Sequence, residues 1–237
     1  MKLGCYTGAR ASGGRVWHLE RHVERLARDA RLLGLGALDA ADVRARLLAL
    51  AAPTRGGPDR KIRLALEPDG DGAPRWRGDA TPIDADGPTW RAIVGPTPHP
   101  GASPRSIAKT TDRSFYEAAL GAAERAGADE ALLCDAAGLL VEGARTNLVV
   151  ALADGGLATP PLARGGQGGV ARTVALAALP ELAERDVARA ELAAAREVIA
   201  INAVRGARAI VAIDGAPVGD GRPGPAFARV GRVLEAG

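Results

Sequence analysis

The segment Ala108-Lys109-Thr110-Thr111-Asp112-Arg113 holds one of only three lysines, Lys2, Lys61 and Lys109, in a chain with 28 arginines. A composition that uses arginine wherever a positive charge suffices marks this position as one that arginine cannot fill. Lysine alone offers a primary amine able to shed its proton and attack a carbonyl, whereas a guanidinium stays charged at any ordinary pH. Schiff-base chemistry is therefore the first expectation for Lys109. A solvated lysine at the start of a helix is the plain alternative until other residues join it.

The 237 residues, 47% of them hydrophobic, suffice for one or two domains with a full core. Aromatic residues make up only 3%, so packing falls to Ala, Leu and Val, as in the alanine-rich stretches Glu117 to Ala126 and Val170 to Leu179. Cys5 and Cys134 stand in apolar, strand-like settings without a partner motif, the pattern of buried thiols in a reducing compartment rather than of a disulfide. His18, His22 and His99 are too few and too unevenly spaced for a metal centre and read as surface or satisfied histidines. No leader-like start and no apolar run of membrane-spanning length stands out, so a cytoplasmic location is expected. The net charge is +3, with the arginines interleaved among 28 acidic residues. No basic stripe with aromatic partners points to nucleic acid.

Along the chain, a strand at Leu3 to Ala9 and a turn at Ser12-Gly13-Gly14 precede a helix over His18 to Leu33, where Leu19, Val23, Leu26, Ala30 and Leu33 repeat at helical spacing. A helix over Ala40 to Ala52, stopped by Pro53, and a strand over Lys61 to Leu66 complete a small α+β domain. The turn-rich stretch Asp84 to Thr89 places a boundary near residue 87, giving domains 1–87 and 88–237. Beyond it the pattern predicts a strand at Trp90 to Val94, a helix over Ser114 to Ala126, and a hairpin of Ala131 to Cys134 with Leu139 to Val141. A strand at Asn147 to Ala151, a helix over Val170 to Leu179, a further helix, a strand at Val198 to Ile201 and a hairpin around Asp214-Gly215 follow.

Two further features bear on Lys109. The cluster Gly165-Gly166-Gln167-Gly168-Gly169 runs straight into a helix, so the backbone N–H groups of Val170 and Ala171 are free to meet a phosphate. Its spacing matches neither a P-loop nor a dinucleotide fingerprint. Glu142, in Val141-Glu142-Gly143-Ala144-Arg145-Thr146-Asn147-Leu148, follows apolar residues at a strand end; it is either paired with a cation such as Arg145 or held to bind a protonated ring nitrogen.

Amine, phosphate cradle and carboxylate match the aldehyde, phosphate and pyridinium nitrogen of pyridoxal 5′-phosphate, and with them the chain resembles the class IV, branched-chain aminotransferase-like (fold type IV) enzymes over nearly its whole length. The matching segments run in family order: His22-Val23-Glu24-Arg25-Leu26, Lys109-Thr110-Thr111-Asp112-Arg113, Glu142-Gly143 with Asn147-Leu148, Thr159-Pro160-Pro161, Gly169-Val170-Ala171-Arg172 and Asn202-Ala203-Val204-Arg205-Gly206. The resemblance implies a two-domain α+β fold, a small N-terminal domain and a larger one with a barrel-like core, and a homodimer. It implies that Lys109 carries the cofactor as a Schiff base and shuttles protons, that Glu142 keeps the pyridine nitrogen protonated, and that Arg25, Val170, Ala171, Asn202 and Ala203 hold the phosphate. The family's tyrosine five positions after the lysine has no counterpart, since position 114 is serine. Tyr116 is expected on another helical face and is given no role.

Within the family, Gly4-Cys5-Tyr6-Thr7-Gly8-Ala9-Arg10 followed by Gly14-Arg15-Val16 looks most like 4-amino-4-deoxychorismate lyase, which forms p-aminobenzoate and pyruvate for folate biosynthesis. A class IV aminotransferase acting on branched-chain or D-amino acids is the alternative, and a non-catalytic binder of the cofactor a weaker one. Arg10 and Arg63 are candidates for substrate carboxylates and Tyr6 for a pocket wall. Relatives carry a further approach to the Gly4 segment, so the first domain is expected to be shortened and to lack an edge strand.

Overall fold

Every second residue of strand β1 (Cys5–Ser12) is buried, namely Cys5, Thr7, Ala9 and Ala11, and those between are half-buried, the period of a strand with one face on a core. The computed structural model describes residues 3–69, 73–83 and 85–236; Met1, Lys2 and Asp84, used in the sequence reading, lie outside them. After β1 the chain forms β2 (Arg15–Val16), helix α1 (Leu19–Leu32), α2 (Ala40–Ala51), β3 (Arg60–Pro68) and β4 (Pro74–Pro82). These strands make a four-stranded antiparallel sheet in the order β2-β1-β3-β4. Helices α1 and α2 cover one face, packing Val23, Leu26, Ala30, Val43 and Leu47 on Ile62, Leu64 and Leu66. Strand β4 escapes the sequence pattern because it is an outer strand whose residues are mostly exposed, with only Trp76 and Ala80 reaching the core.

The chain continues as β5 (Thr89–Val94), α3 (Pro104–Ile107), α4 (Ser114–Arg125), β6 (Glu130–Cys134), β7 (Leu140–Gly143), β8 (Asn147–Ala151) and β9 (Leu157–Thr159). It closes with α5 (Val170–Ala178), β10 (Leu182–Glu184), α6 (Arg189–Ala193), β11 (Glu197–Asn202), β12 (Gly206–Ile213), β13 (Ala216–Pro217) and α7 (Pro225–Glu235). These strands form a nine-stranded mixed sheet in the order β10-β9-β8-β11-β12-β5-β6-β7, with β13 on β12. The sheet curls until its ends meet, Leu139 bridging Ala188 and Leu140 N–H donating to the Val187 carbonyl at 2.8 Å.

Both faces of this sheet are buried. Leu148, Val150, Val198, Ala200 and Ile210 point into the curl around Trp90, while Val149, Ala151, Ile199 and Ile201 point outward beneath α5 and α7. Helix α4 lays Tyr116, Ala119 and Ala123 on Ala131 and Leu133 of β6. Together the two sheets and their flanking helices make the α+β, fold type IV architecture that the resemblance implies.

The free edge of β1 is not left open. Tyr6 N–H donates to the Lys109 carbonyl at 2.9 Å, Thr111 N–H to the Gly4 carbonyl at 3.0 Å and Arg10 N–H to the Ala203 carbonyl at 3.2 Å. The segment around Lys109 therefore closes the edge of β1, and the same bonds tie the first sheet to the rest of the molecule.

Helix α7 is absent from the sequence reading because Val218-Gly219-Asp220-Gly221-Arg222-Pro223-Gly224 before it reads as loop. Its start is held by Glu197, whose carboxylate accepts from the N–H groups of Gly224, Ala226 and Phe227 at 3.0, 2.8 and 2.9 Å. Glu197→Ala is expected to cost about 1–2 kcal/mol, read as a lower urea midpoint at unchanged slope. An unchanged midpoint would show that Val230 and Leu234 hold the helix without the cap.

Candidate active site

Lys109 lies between α3 and α4, and its peptide is fixed from the first layer: N–H to Asp29 Oδ2 of α1 at 3.0 Å, and C=O from Tyr6. Asp29 is fully buried and also accepts from Arg28 Nε at 2.9 Å. The Lys109 side chain runs past the Tyr6 ring, Nζ 4.9 Å from its centroid, and Nζ donates to Gln167 Oε1 at 3.2 Å. Burial, then the charges of Arg113 and Arg25, hold the amine well below the usual lysine range, against the opposing pull of Glu142 and Asp29. A larger neutral fraction at ordinary pH follows, which is the nucleophilic and proton-accepting form.

Glu142, 3% exposed on β7, accepts from Tyr116 Oη at 2.8 Å through Oε1 and from the Gln167 N–H at 2.9 Å through Oε2. Burial pushes its carboxyl up to about 7, against those two donors and the Lys109 charge. The Tyr116 hydroxyl is pushed far above the usual tyrosine range, first by burial and then by the Glu142 charge, so it stays protonated and donates. His99 is buried, accepts from Gly101 N–H through Nδ1 at 3.1 Å and therefore carries its proton on Nε2, 3.9 Å from Glu142 Oε1. That separation is too long for a hydrogen bond.

Gln167, the one side chain in the glycine cluster, ties these parts together. Its amide oxygen meets Lys109, its N–H meets Glu142, and its carbonyl accepts from Asn147 Nδ2 at 2.9 Å. Gly169 then opens α5, and a Cβ there would run into Asn147 Oδ1. Val170 and Ala171 begin the helix, so no carbonyl of its own lies four residues back for their N–H groups. On the facing helix α1, Arg25 is buried, donates from Nη2 to Thr7 Oγ1 at 2.5 Å, and its Nε has no hydrogen-bond partner. Arg28, one turn on, reaches the Gly168 carbonyl at 3.4 Å. An orphaned guanidinium N–H, free helix-start N–H groups, a weakly basic amine and a buried carboxylate fit the phosphate, aldehyde and ring nitrogen of pyridoxal 5′-phosphate.

The model of the amino-transferase class IV family matches residues 4–213. The chain belongs to that family. Among solved structures it is similar to the fold IV-transaminase CpuTA1 of Curtobacterium pusillum, at 26% identity over 98% of this chain and 84% of that one, with a TM-score of 0.85. A hypothetical aminotransferase of Mycobacterium tuberculosis, with α-ketoglutarate and PMP bound, has the same fold at 21% identity over 98% and 88% of the two chains and a TM-score of 0.89. So does a Legionella pneumophila protein described as a candidate 4-amino-4-deoxychorismate lyase, at 18% identity over 98% and 90%, with a TM-score of 0.88. No curated protein matches the sequence.

In this class IV chain the remaining expected residues stand on β1, on β3, and at the end of β11 with the turn after it. Asn202 Oδ1 caps its own turn by accepting from the N–H groups of Val204 and Arg205 at 3.0 and 2.8 Å, and the Ala203 carbonyl meets β1. Tyr6 lies between Lys109 and Arg63, whose guanidinium carbon is 4.8 Å from the ring centroid and which also pairs with Glu67 at 3.0 Å. Arg10 pairs with Asp59 at 2.7 Å and stacks on Trp17 at 4.4 Å.

At three places the structure settles surroundings that the sequence left open. Tyr116 faces Glu142, because Tyr116, Ala119 and Ala123 share the inner face of α4, while Ser114 is exposed at its start. Of the two readings for the histidines, surface or satisfied, His22 and His99 follow the second in part: both are buried with Nδ1 bonded, to Thr7 at 2.7 Å and Gly101 at 3.1 Å, and Nε2 without a partner. Glu142 takes donors from Tyr116 and Gln167, and Arg145 instead reaches the Asp129 carbonyl at 2.6 Å. Asp29 and Gln167 went unread, although Asp29 follows Arg25 by one helical turn and Gln167 interrupts four glycines.

A carboxyl raised from 4.5 to about 7 adds stability below pH 4.5 and loses it as pH rises through 7. In the cofactor-free protein, Glu142→Gln should therefore gain on wild type by about 3 kcal/mol between pH 4.5 and 8. Urea unfolding at both pH values checks this, and a pH-independent difference would show that Glu142 is not held near neutral.

Proposed function

We propose that this class IV enzyme is a pyridoxal-phosphate-dependent lyase that converts 4-amino-4-deoxychorismate to p-aminobenzoate and pyruvate. The observation that carries the reading is the weakly basic Lys109 amine and the buried Glu142 carboxylate meeting on Gln167. The segment Gly4-Cys5-Tyr6-Thr7-Gly8-Ala9-Arg10 with Gly14-Arg15-Val16 favours the lyase over its relatives.

Pyridoxal phosphate supplies, when bound, an aldehyde that takes up an amine and a protonated ring that draws electrons. Arg25, the N–H groups of Val170 and Ala171, and the Asn202-Ala203 turn hold the phosphate in this reading, and Glu142 keeps the ring nitrogen protonated. With the cofactor bound, Lys109 would hold its aldehyde until the substrate amine takes that place, and Nζ would then accept the proton from the substrate carbon that bears the nitrogen. The bond between the ring carbon and the enolpyruvyl oxygen breaks with its electron pair leaving on oxygen, the carbocycle becomes aromatic, and the departing enolate regains a proton, the one held by Lys109 Nζ, to become pyruvate. Tyr6 walls the pocket, and Arg10 and Arg63 stand at its rim. A cytoplasmic homodimer is the state expected of such an enzyme.

The runner-up is an aminotransferase acting on branched-chain or D-amino acids, favoured by the likeness to CpuTA1. It uses the same residues and differs in where Lys109 delivers the proton.

Purified protein loaded with pyridoxal phosphate is expected to release p-aminobenzoate and pyruvate in equal amounts from enzymatically made aminodeoxychorismate. Lys109→Ala should abolish the visible absorption of the loaded protein and lower turnover by about a thousandfold. Amino transfer to a 2-oxo acid without p-aminobenzoate would replace the lyase with the aminotransferase.

A further inference from the structure

Arg113, the residue before α4, has its guanidinium carbon 4.4 Å from the centroid of the Tyr116 ring, whose hydroxyl end is bonded to Glu142. Its Nη2 donates to the Ala144 carbonyl at 2.7 Å. No carboxylate among the described residues pairs with it. The other arginines around Lys109 are committed: Arg28 to Asp29, Arg10 to Asp59 and Arg63 to Glu67, while Arg25 lies buried against Thr7.

The positive charge of Arg113 acts on Lys109, Tyr116 and Glu142 alike, lowering each of their proton affinities. Stacked on the ring whose hydroxyl holds Glu142, it stands beside the site rather than out in solvent. A half-buried guanidinium braced on a ring and pinned at one nitrogen keeps its remaining N–H groups as a fixed fork, the geometry that binds a carboxylate through two parallel hydrogen bonds.

We propose that Arg113, braced on Tyr116, is the receptor for a carboxylate of the substrate. The assignment rests on Lys109 being the amine that meets the substrate, and it deepens that reading by naming the anionic group the site recognises. Tyr116 then has two tasks, since its hydroxyl steadies Glu142 while its face sets the direction of Arg113. A single side chain couples the group that tunes the cofactor ring to the group that orients the substrate.

The test compares 4-aminobenzoate with 4-aminobenzamide, and 4-methyl-2-oxopentanoate with its amide, by calorimetry on the cofactor-loaded protein. Arg113→Gln is expected to weaken at least one of the acids by about tenfold or more and neither amide, with the visible absorption of the loaded protein retained. Arg113→Lys, which keeps the charge but not the fork, should recover part of that affinity. A loss confined to 4-aminobenzoate supports receptor and lyase together; one confined to the 2-oxo acid keeps the receptor and removes the lyase. Wild-type affinity for both acids in Arg113→Gln, or an equal loss for acid and amide, overturns the receptor.

Discussion

The peptide unit of Lys109 is gripped from both sides by the first layer of the molecule, its N–H by a buried aspartate of α1 and its C=O by the edge of β1. Glu142 comes from β7, Tyr116 from α4, and Gln167 and the free N–H groups from the approach to α5, while Tyr6 and Arg25 belong to β1 and α1 of the first layer. The distance between amine and carboxylate is thus a distance between two layers, fixed by how β1 seats its edge. The buried Asp29 earns its place by this contact, since a fully buried carboxylate without donors would cost several kcal/mol.

A second constraint is electrical. Lys109, Arg25, Arg113 and Glu142 sit close together with little water to screen them, so each charge is felt by the others. Burial lowers the proton affinity of the amine and raises that of the acid. Both shifts favour the neutral pair over the ion pair before a cofactor enters, and a cationic ring nitrogen beside Glu142 would return that carboxyl to its ionised form. Tyr116 and the Gln167 N–H stand ready to stabilise that anion.

What could be read in the sequence was chemistry tied to residue type. Lys109 stood out against the arginines, Glu142 by its apolar approach, and the helix start at Val170 by its glycines. What could not be read was direction. Tyr116 was given no role because the family's tyrosine was sought at position 114, while the face that meets Glu142 is set by Ala119 and Ala123 packing on β6. Arg10 and Arg63 carry the right chemistry, but their acidic partners Asp59 and Glu67 are visible only once β1 and β3 are folded. Strand β4 and helix α7 escaped for opposite reasons, one showing too little apolar surface and the other following a loop-like run of glycine and proline.

The bonds that seat Lys109 also join residues far apart along the chain. Gly4 meets Thr111 across 107 positions and Asp29 meets Lys109 across 80. Closing such long loops is entropically expensive and slow, whereas the hairpins and helices of each layer form from local contacts. The reactive amine is consequently assembled late in folding, after both layers have taken shape. A nascent or partly unfolded chain carries an ordinary, protonated surface lysine, and the reactivity appears only when the molecule is complete.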